Sequence, residues 1–240
     1  MLKRFFILVI TTLFVVPTVM GQSSGKSKEE MSIEESYLLE YMEMSTIRET
    51  TRSNDESQKN IALELIANAL DRGSTNEELR TSLEFLSLES TQNQVRQGRR
   101  LSNDFPLVRR QAARLLGNVG TKEAKAALIK ICTADKEPMV LQEAVKSLST
   151  IGMNDNDDAV NTIVWTVEKF HNNSAPNDIL AIAAIDAIEK FAQKDKRITP
   201  GAVQLLMKIN NGPYMGVVKE RAKHALEKVG GYAAQSQKKS

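Results

Sequence analysis

Residues that carry chemistry are scarce in this sequence. One cysteine, Cys132, and two histidines, His171 and His224, stand in 240 residues, and aromatic side chains make up 5%. A single cysteine allows no internal disulfide, so the fold must be held by its own core. Cys132 ends the run AALIKIC, where a packed small hydrophobe is expected rather than a nucleophile. The patterns H-E-x-x-H, C-x-x-C, G-x-S-x-G and a glycine-rich phosphate loop do not occur. The reading is therefore no enzyme, no cofactor and no metal. The acidic run NDNDD, Asn154 to Asp158, has Val160 where a calcium loop needs glycine. It is expected to cap a helix.

Long apolar runs are missing beyond the N-terminus. The exception is Phe5 to Val16, preceded by Lys3 and Arg4 and followed by Val19-x-Gly21, the three parts of an export signal. Pro17 interrupts it, and it falls short of the ~20 apolar residues that span a bilayer. Residues 1–21 are thus predicted to be a cleaved signal peptide that leaves no stable membrane anchor. The periplasm is the expected location, with secretion as the alternative.

Net charge is missing too. The leader holds two of the 32 basic residues and none of the 30 acidic ones, so 30 of each remain after Gly21. A neutral exported chain argues against a nucleic-acid partner. The charge is unevenly placed, with a net −8 from Gln22 to Glu89 and +8 from Ser90 to Ser240. Solvated faces are the ordinary cause of such asymmetry, with an internal clamp and head-to-tail association as the alternatives.

What the sequence does have is repetition. FPLVRRQAARLLGNVG, Phe105 to Gly120, returns 32 residues later as EPMVLQEAVKSLSTIG. Val108, Ala112, Leu115 and Val119 share one helical face, Pro106 suits a first turn, and Gly120 suits the position after the last. Thr121 is placed to cap a second helix. Further copies carry Val140, Ala144, Leu148 and Ile151; Leu180, Ala184, Ile188 and Phe191; and Val218, Ala222, Leu226 and Val229, with Gly230 as the last stop. A weaker copy, Ala62, Ile66, Ala69 and Leu70, comes first, and the offsets are 50, 32, 40 and 38 residues. A lone helix pair cannot enclose its apolar face, so successive pairs must stack.

Val108, Arg109, Ala112, Ala113, Leu116, Gly117, Val119 and Gly120 resemble the first helix of a HEAT repeat of the short bacterial kind, found also in phycobilisome-lyase-like proteins. The position of Arg109 is taken by Leu141, Ala181 and Lys219 in later copies. The resemblance implies an all-α fold, a right-handed α-solenoid of about five HEAT-like hairpins over residues 55–230, in a bacterial protein. It implies a binding scaffold or adaptor for protein partners. A lyase-like enzyme or cofactor carrier is one alternative, and a cell-wall or glycan binder is another.

Outside the repeats, residues 22–31 read as a flexible exit segment and 231–240 as a polar tail. Residues 32–53 read as a capping helix, with Ser32 and Glu35 in capping-box spacing and Ile33, Tyr37 and Tyr41 on one face. Two features suit partner binding. Arg96, Arg99, Arg100, Arg110 and Arg114 gather around an extra-long loop before the second repeat and on the outward face of its helix, as if to meet an acidic surface. Trp165 points away from the apolar stripe of its helix, which predicts either packing on the next repeat or a place in the binding groove.

Overall fold

A computed structural model describes residues 32–92, 94–171 and 176–237, with side chains as far as Tyr232. The predicted leader 1–21, the exit segment 22–31 and the last three residues lie outside the described residues.

The described chain holds ten α-helices and one two-stranded hairpin. They are α1 (Ile33–Arg52), α2 (Glu56–Asp71), α3 (Glu77–Ser87), β1 (Arg96–Gln97), β2 (Arg100–Leu101), α4 (Pro106–Val119), α5 (Lys122–Ala134), α6 (Pro138–Ile151), α7 (Asp158–His171), α8 (Asp178–Asp195), α9 (Pro200–Asn211) and α10 (Gly216–Gln237). By contacts the chain divides into two units, Met1–Leu38 and Leu39–Ser240. The described part of the first is the opening of α1. There Ser32 and Glu35 close a reciprocal capping box, the Ser32 amide donating to the Glu35 carboxylate and the Glu35 amide to Oγ of Ser32.

The second unit is an all-α solenoid of two layers. First helices stack in the order α2, α4, α6, α8, α10, and second helices in the order α3, α5, α7, α9. Four hairpins are complete, and α10 is a first helix without a second. The local signals act as the chemistry requires. Pro106 and Pro138 open α4 and α6 in the first turn, where a missing N–H costs nothing. Gly120 and Gly152 end those helices at φ of 69° and 67°, a left-handed conformation that glycine adopts without strain. Thr121, Asn177 and Thr199 cap α5, α8 and α9 through their side-chain oxygens.

Each copy buries its stripe: Val108, Ala112 and Leu115; Val140, Ala144 and Leu148; Leu180, Ala184 and Ile188; Val218, Ala222 and Val229. Gly117 permits a close approach of α4 and α6, since a Cβ there would lie 2.8 Å from the Ser147 side chain on α6. Of α1, Met44, Ile47, Thr50 and Thr51 are buried. Glu43 pairs with Arg72, and Arg48 with Glu78, so the later half of α1 covers the first hairpin.

Three expectations need correction. Gly230 does not stop the last helix, which continues to Gln237. Ala233 and Ala234 are strong helix formers that carry it past two glycines, so most of the expected tail is helical. The extra-long loop contains a small hairpin, β1 paired antiparallel with β2. Its two-residue turn starts at Gly98, which takes a φ of 65°. The acidic run does more than cap. Asn154 Oδ1 accepts from the Val160 amide at the start of α7. Meanwhile Asp155 and Asp158 grip Lys125 Nζ at 2.9 and 2.7 Å, and Asp157 holds Arg197 at 2.7 and 2.9 Å. Those carboxylates tie successive repeats together.

Candidate functional site

The arginine-bearing hairpin is built outward from a buried polar base. Lys59 on α2 is 1% exposed, and its Nζ donates to Glu89 at 2.9 Å and to the Thr51 carbonyl at 3.0 Å. Asn103, also buried, donates to the other Glu89 oxygen at 2.5 Å and accepts from the Val95 amide at 2.9 Å. Arg109 on α4 is buried as well. Its Nε donates to Asp135 at 2.7 Å, and its Nη1 to Asp104 at 2.7 Å and to Ser90 at 3.0 Å. Glu89 and Ser90 leave the first hairpin, while Asn103 and Asp104 enter the second repeat. The two ends of the insert are thus clamped together. Hydrogen bonding from Arg109 holds the Asp104 carboxyl below its ordinary pKa. Burial lowers the Arg109 pKa, but the Asp135 and Asp104 bonds outweigh it and leave a net rise.

From this base the predicted arginines project. Arg96, Arg99, Arg100, Arg110 and Arg114 are all exposed, and none forms an ion pair with a described residue. Arg96 donates to Gln94. Arg110 and Arg114 share the outer face of α4 with exposed Leu107, at spacings of three and seven residues. The acids of α1 that pair internally use other partners: Glu43 takes Arg72 and Glu40 takes Asn76. An internal clamp between these arginines and the acidic N-terminal part is therefore absent among the described residues.

Trp165 is on α7 and 46% exposed, so it is not the buried inter-repeat contact that its spacing allowed. Its ring lies under Lys169 Nζ at 5.1 Å. The core positions of α5, α7 and α9 align Ile129, Trp165 and Met207, and Met207 is likewise exposed. An apolar row thus crosses the layer of second helices, with Trp165 its one aromatic. A similar row crosses the first helices, where Leu107, Met139, Ile179 and Val217 each stand one place before the buried Val108, Val140, Leu180 and Val218. Both rows escaped periodicity because they lie just outside the buried stripes.

A cleft of about 610 Å³ opens where the first two hairpins turn, lined by Leu70, Asn76, Arg80, Val119 and Thr121 among others. Arg80 is paired there with Glu77 and Glu84. Among the described residues no group of three His, Cys, Asp or Glu is placed to hold a metal. No described helix is long and apolar enough to cross a membrane. Cys132 is buried, which pushes its thiol up to about 12. His171 Nδ1 is 3.1 Å from the Tyr214 hydroxyl. Burial, with Lys208, lowers the imidazole pKa, and burial raises Tyr214 to about 12. His224 lies exposed between Glu220 and Glu227.

A family model described as HEAT repeats matches residues 99–166. That segment is similar to HEAT repeats, and it lies within the α-solenoid. The match runs from the hairpin turn into α7 and so includes Arg99, Arg100, Arg110, Arg114 and Trp165. Among solved structures, this chain is similar to one from "The structure of the complex of CpcE and CpcF of phycocyanin lyase from Nostoc sp. PCC7120". The TM-score is 0.52 and the identity 18%, over 79% of this chain and 64% of that one. This chain thus spans about 64% of that neighbour's length, and the likeness is one of fold. No curated protein sequence matches the chain.

Proposed function

We propose that this HEAT-repeat chain is a non-catalytic scaffold or adaptor that recognises a protein partner through an acidic surface, acting after export to the periplasm. The observation that carries the reading is the clamped hairpin. A buried ionic base holds the insert in place, while Arg99, Arg100, Arg110 and Arg114 have no ion-pair partner among the described residues. Four exposed guanidinium groups on a fixed support suit bidentate contact with carboxylates. The exposed Trp165 supplies an apolar anchor on the other layer.

The test is replacement of Arg110 and Arg114 together by Gln, followed by quantitative affinity capture from the native envelope at two salt concentrations. Partners that bind wild type in a salt-sensitive way should be lost from the variant while its melting holds. Recovery of the same proteins at the same salt would refute the assignment.

The fold likeness to the phycocyanin lyase complex favours a second reading, a lyase-like subunit. The 610 Å³ cleft is where a small group would then sit. Transfer or release of a bound small group by the purified chain, abolished by Asn118→Trp at a residue lining the cleft, would decide for it.

A further inference from the structure

The opening of α1 has the chemistry that the arginine face lacks. Tyr37, Leu38 and Tyr41 are exposed and share a helical face with Glu34. No basic residue occurs between Ser32 and Thr46. On α4, the face holding Leu107, Arg110 and Arg114 is likewise apolar and charged, with the opposite sign, and Met139 adds the next apolar side chain on α6. Ile33 to Met42 makes a helical stretch of about 15 Å at 1.5 Å per residue. Neighbouring helices pack about 8–10 Å apart, so this stretch is long enough to cover both Leu107 and Met139.

We propose that the occupant of the Leu107–Arg110–Met139 face is the opening of α1 from a second copy of this chain. Glu34 meets the arginines, while Tyr37 and Tyr41 cover Leu107 and Met139. Two different patches of the chain are joined, so the contact is heterologous, and repetition gives a ring or a filament. The inference rests on reading the arginine group as a partner site and names that partner. Charge complementarity selects the occupant: the chain carries −8 from Gln22 to Glu89 and +8 from Ser90 to Ser240, and α1 presents its uncompensated acids beside exposed tyrosines.

Sedimentation velocity on the protein purified after expression of all 240 residues tests this. The expected result is a weight-average mass above the monomer that rises with concentration and falls between about 50 and 500 mM salt, as screening shortens the reach of the charges. Tyr37→Ser/Tyr41→Ser and Leu107→Ser/Arg110→Gln should each weaken association at least tenfold. Mixing the two variants should restore a one-to-one dimer, since one retains the patch and the other the helix. A second pair, Glu34→Lys and Arg110→Glu, should associate weakly alone and more strongly when mixed, because the mixture regains opposite charges across the contact.

A wild-type chain that stays monomeric up to its solubility limit overturns the inference, as do variants that associate like wild type. If the chain is monomeric but Arg110→Gln/Arg114→Gln still loses a captured protein, self-docking is wrong and the partner-site reading stands. If no capture depends on those arginines either, both fail.

Discussion

The first two repeats and the later ones solve the same stacking problem with different chemistry. At one register position the first helices of the four complete hairpins carry Lys59, Arg109, Leu141 and Ala181, and all four are buried, while Lys219 of the terminal α10 is half-buried. Lys59 and Arg109 are charged and meet buried acids, Glu89 and Asp135. Leu141 and Ala181 are simply packed. Stacking does not therefore require the ionic bolts, and a well-packed hydrophobe is often as stable as a buried pair. The bolts occur where the chain carries an insert: Glu89, Ser90, Asn103 and Asp104 at its ends join them, with Asp135 supplied by the end of α5. The difference teaches that the polar half of the solenoid is organised around holding the hairpin.

The sharpest way to break the contrast is to make the second repeat resemble the third. Arg109→Leu copies the residue found at position 141 but leaves Asp135, 1% exposed, without its cation. Removing one partner of a buried pair costs about 3–5 kcal/mol, and chemical denaturation should show a loss of that size. The double variant Arg109→Leu/Asp135→Asn should recover part of it. Asn still offers an oxygen to the Lys136 and Glu137 amides that Asp135 now accepts at 2.7 and 2.9 Å. Equal costs for the single and double variants would show that packing, rather than charge, holds this position.

Next in size is the seam between the two halves, α4 against α6. Gly117→Ala improves helix propensity on its own helix, yet the new methyl would meet Ser147 Cβ at 2.8 Å and its Cα at 3.1 Å. Overpacking of this kind costs about 1–3 kcal/mol. A melting temperature lowered in Gly117→Ala and partly restored in Gly117→Ala/Ser147→Gly would place the cause at that contact. An unchanged or raised melting temperature would show that the seam gives way.

Much of this architecture is legible before any coordinates. Pro106, Gly120 and Thr121 declare where α4 ends and α5 begins, and the buried stripes follow from their spacing. The bolts are harder to read. Lys59 sits 50 residues before Arg109, but the first copy is recognisable only by its apolar residues, and a lysine on a helix ordinarily means solvent. Glu89 and Asn103 lie outside any repeat, and only tertiary contact brings them together. The hairpin left a faint signal, Gly98 between short runs containing Arg96 and Arg100, too short for alternation to register. Exposure of Trp165 and of the Leu107 row is set by how far neighbouring helices reach, which periodicity does not contain. Gly230 misled because glycine is an invitation to stop, and the residues after it form helix readily.

Acid should sharpen the comparison more gently. The Asp104 carboxyl is held below its ordinary pKa by the Arg109 hydrogen bonds. A depressed carboxyl contributes stability that is present above the unfolded value, about 3.9 for aspartate, and is lost as pH falls through the folded one. Arg109→Leu removes that contribution. The melting difference between wild type and Arg109→Leu should accordingly be constant at neutral pH and narrow below about pH 4. A difference that widens in acid would mean that Asp104 is not stabilised by its arginine.

The smallest effect on stability is expected in the apolar half, at Trp165. Its ring is 46% exposed and its recorded ring contact is with Lys169. A buried tryptophan truncated to alanine loses about 3–5 kcal/mol, whereas surface replacements usually stay within about 0.5 kcal/mol. Trp165→Ala should fall in the second class and leave the denaturation midpoint nearly unmoved. Binding is where it should be felt, because an aromatic half out of a helical layer, in register with exposed Met207, has apolar area left for a partner to cover. The informative measurement compares Trp165→Ala with Arg110→Gln/Arg114→Gln for the same captured protein. If the partner spans both layers, each variant weakens capture, and only the arginine variant loses its salt dependence. If it sits on the arginine face alone, Trp165→Ala captures as wild type does, and the apolar half serves as support for a site carried entirely by the bolted one.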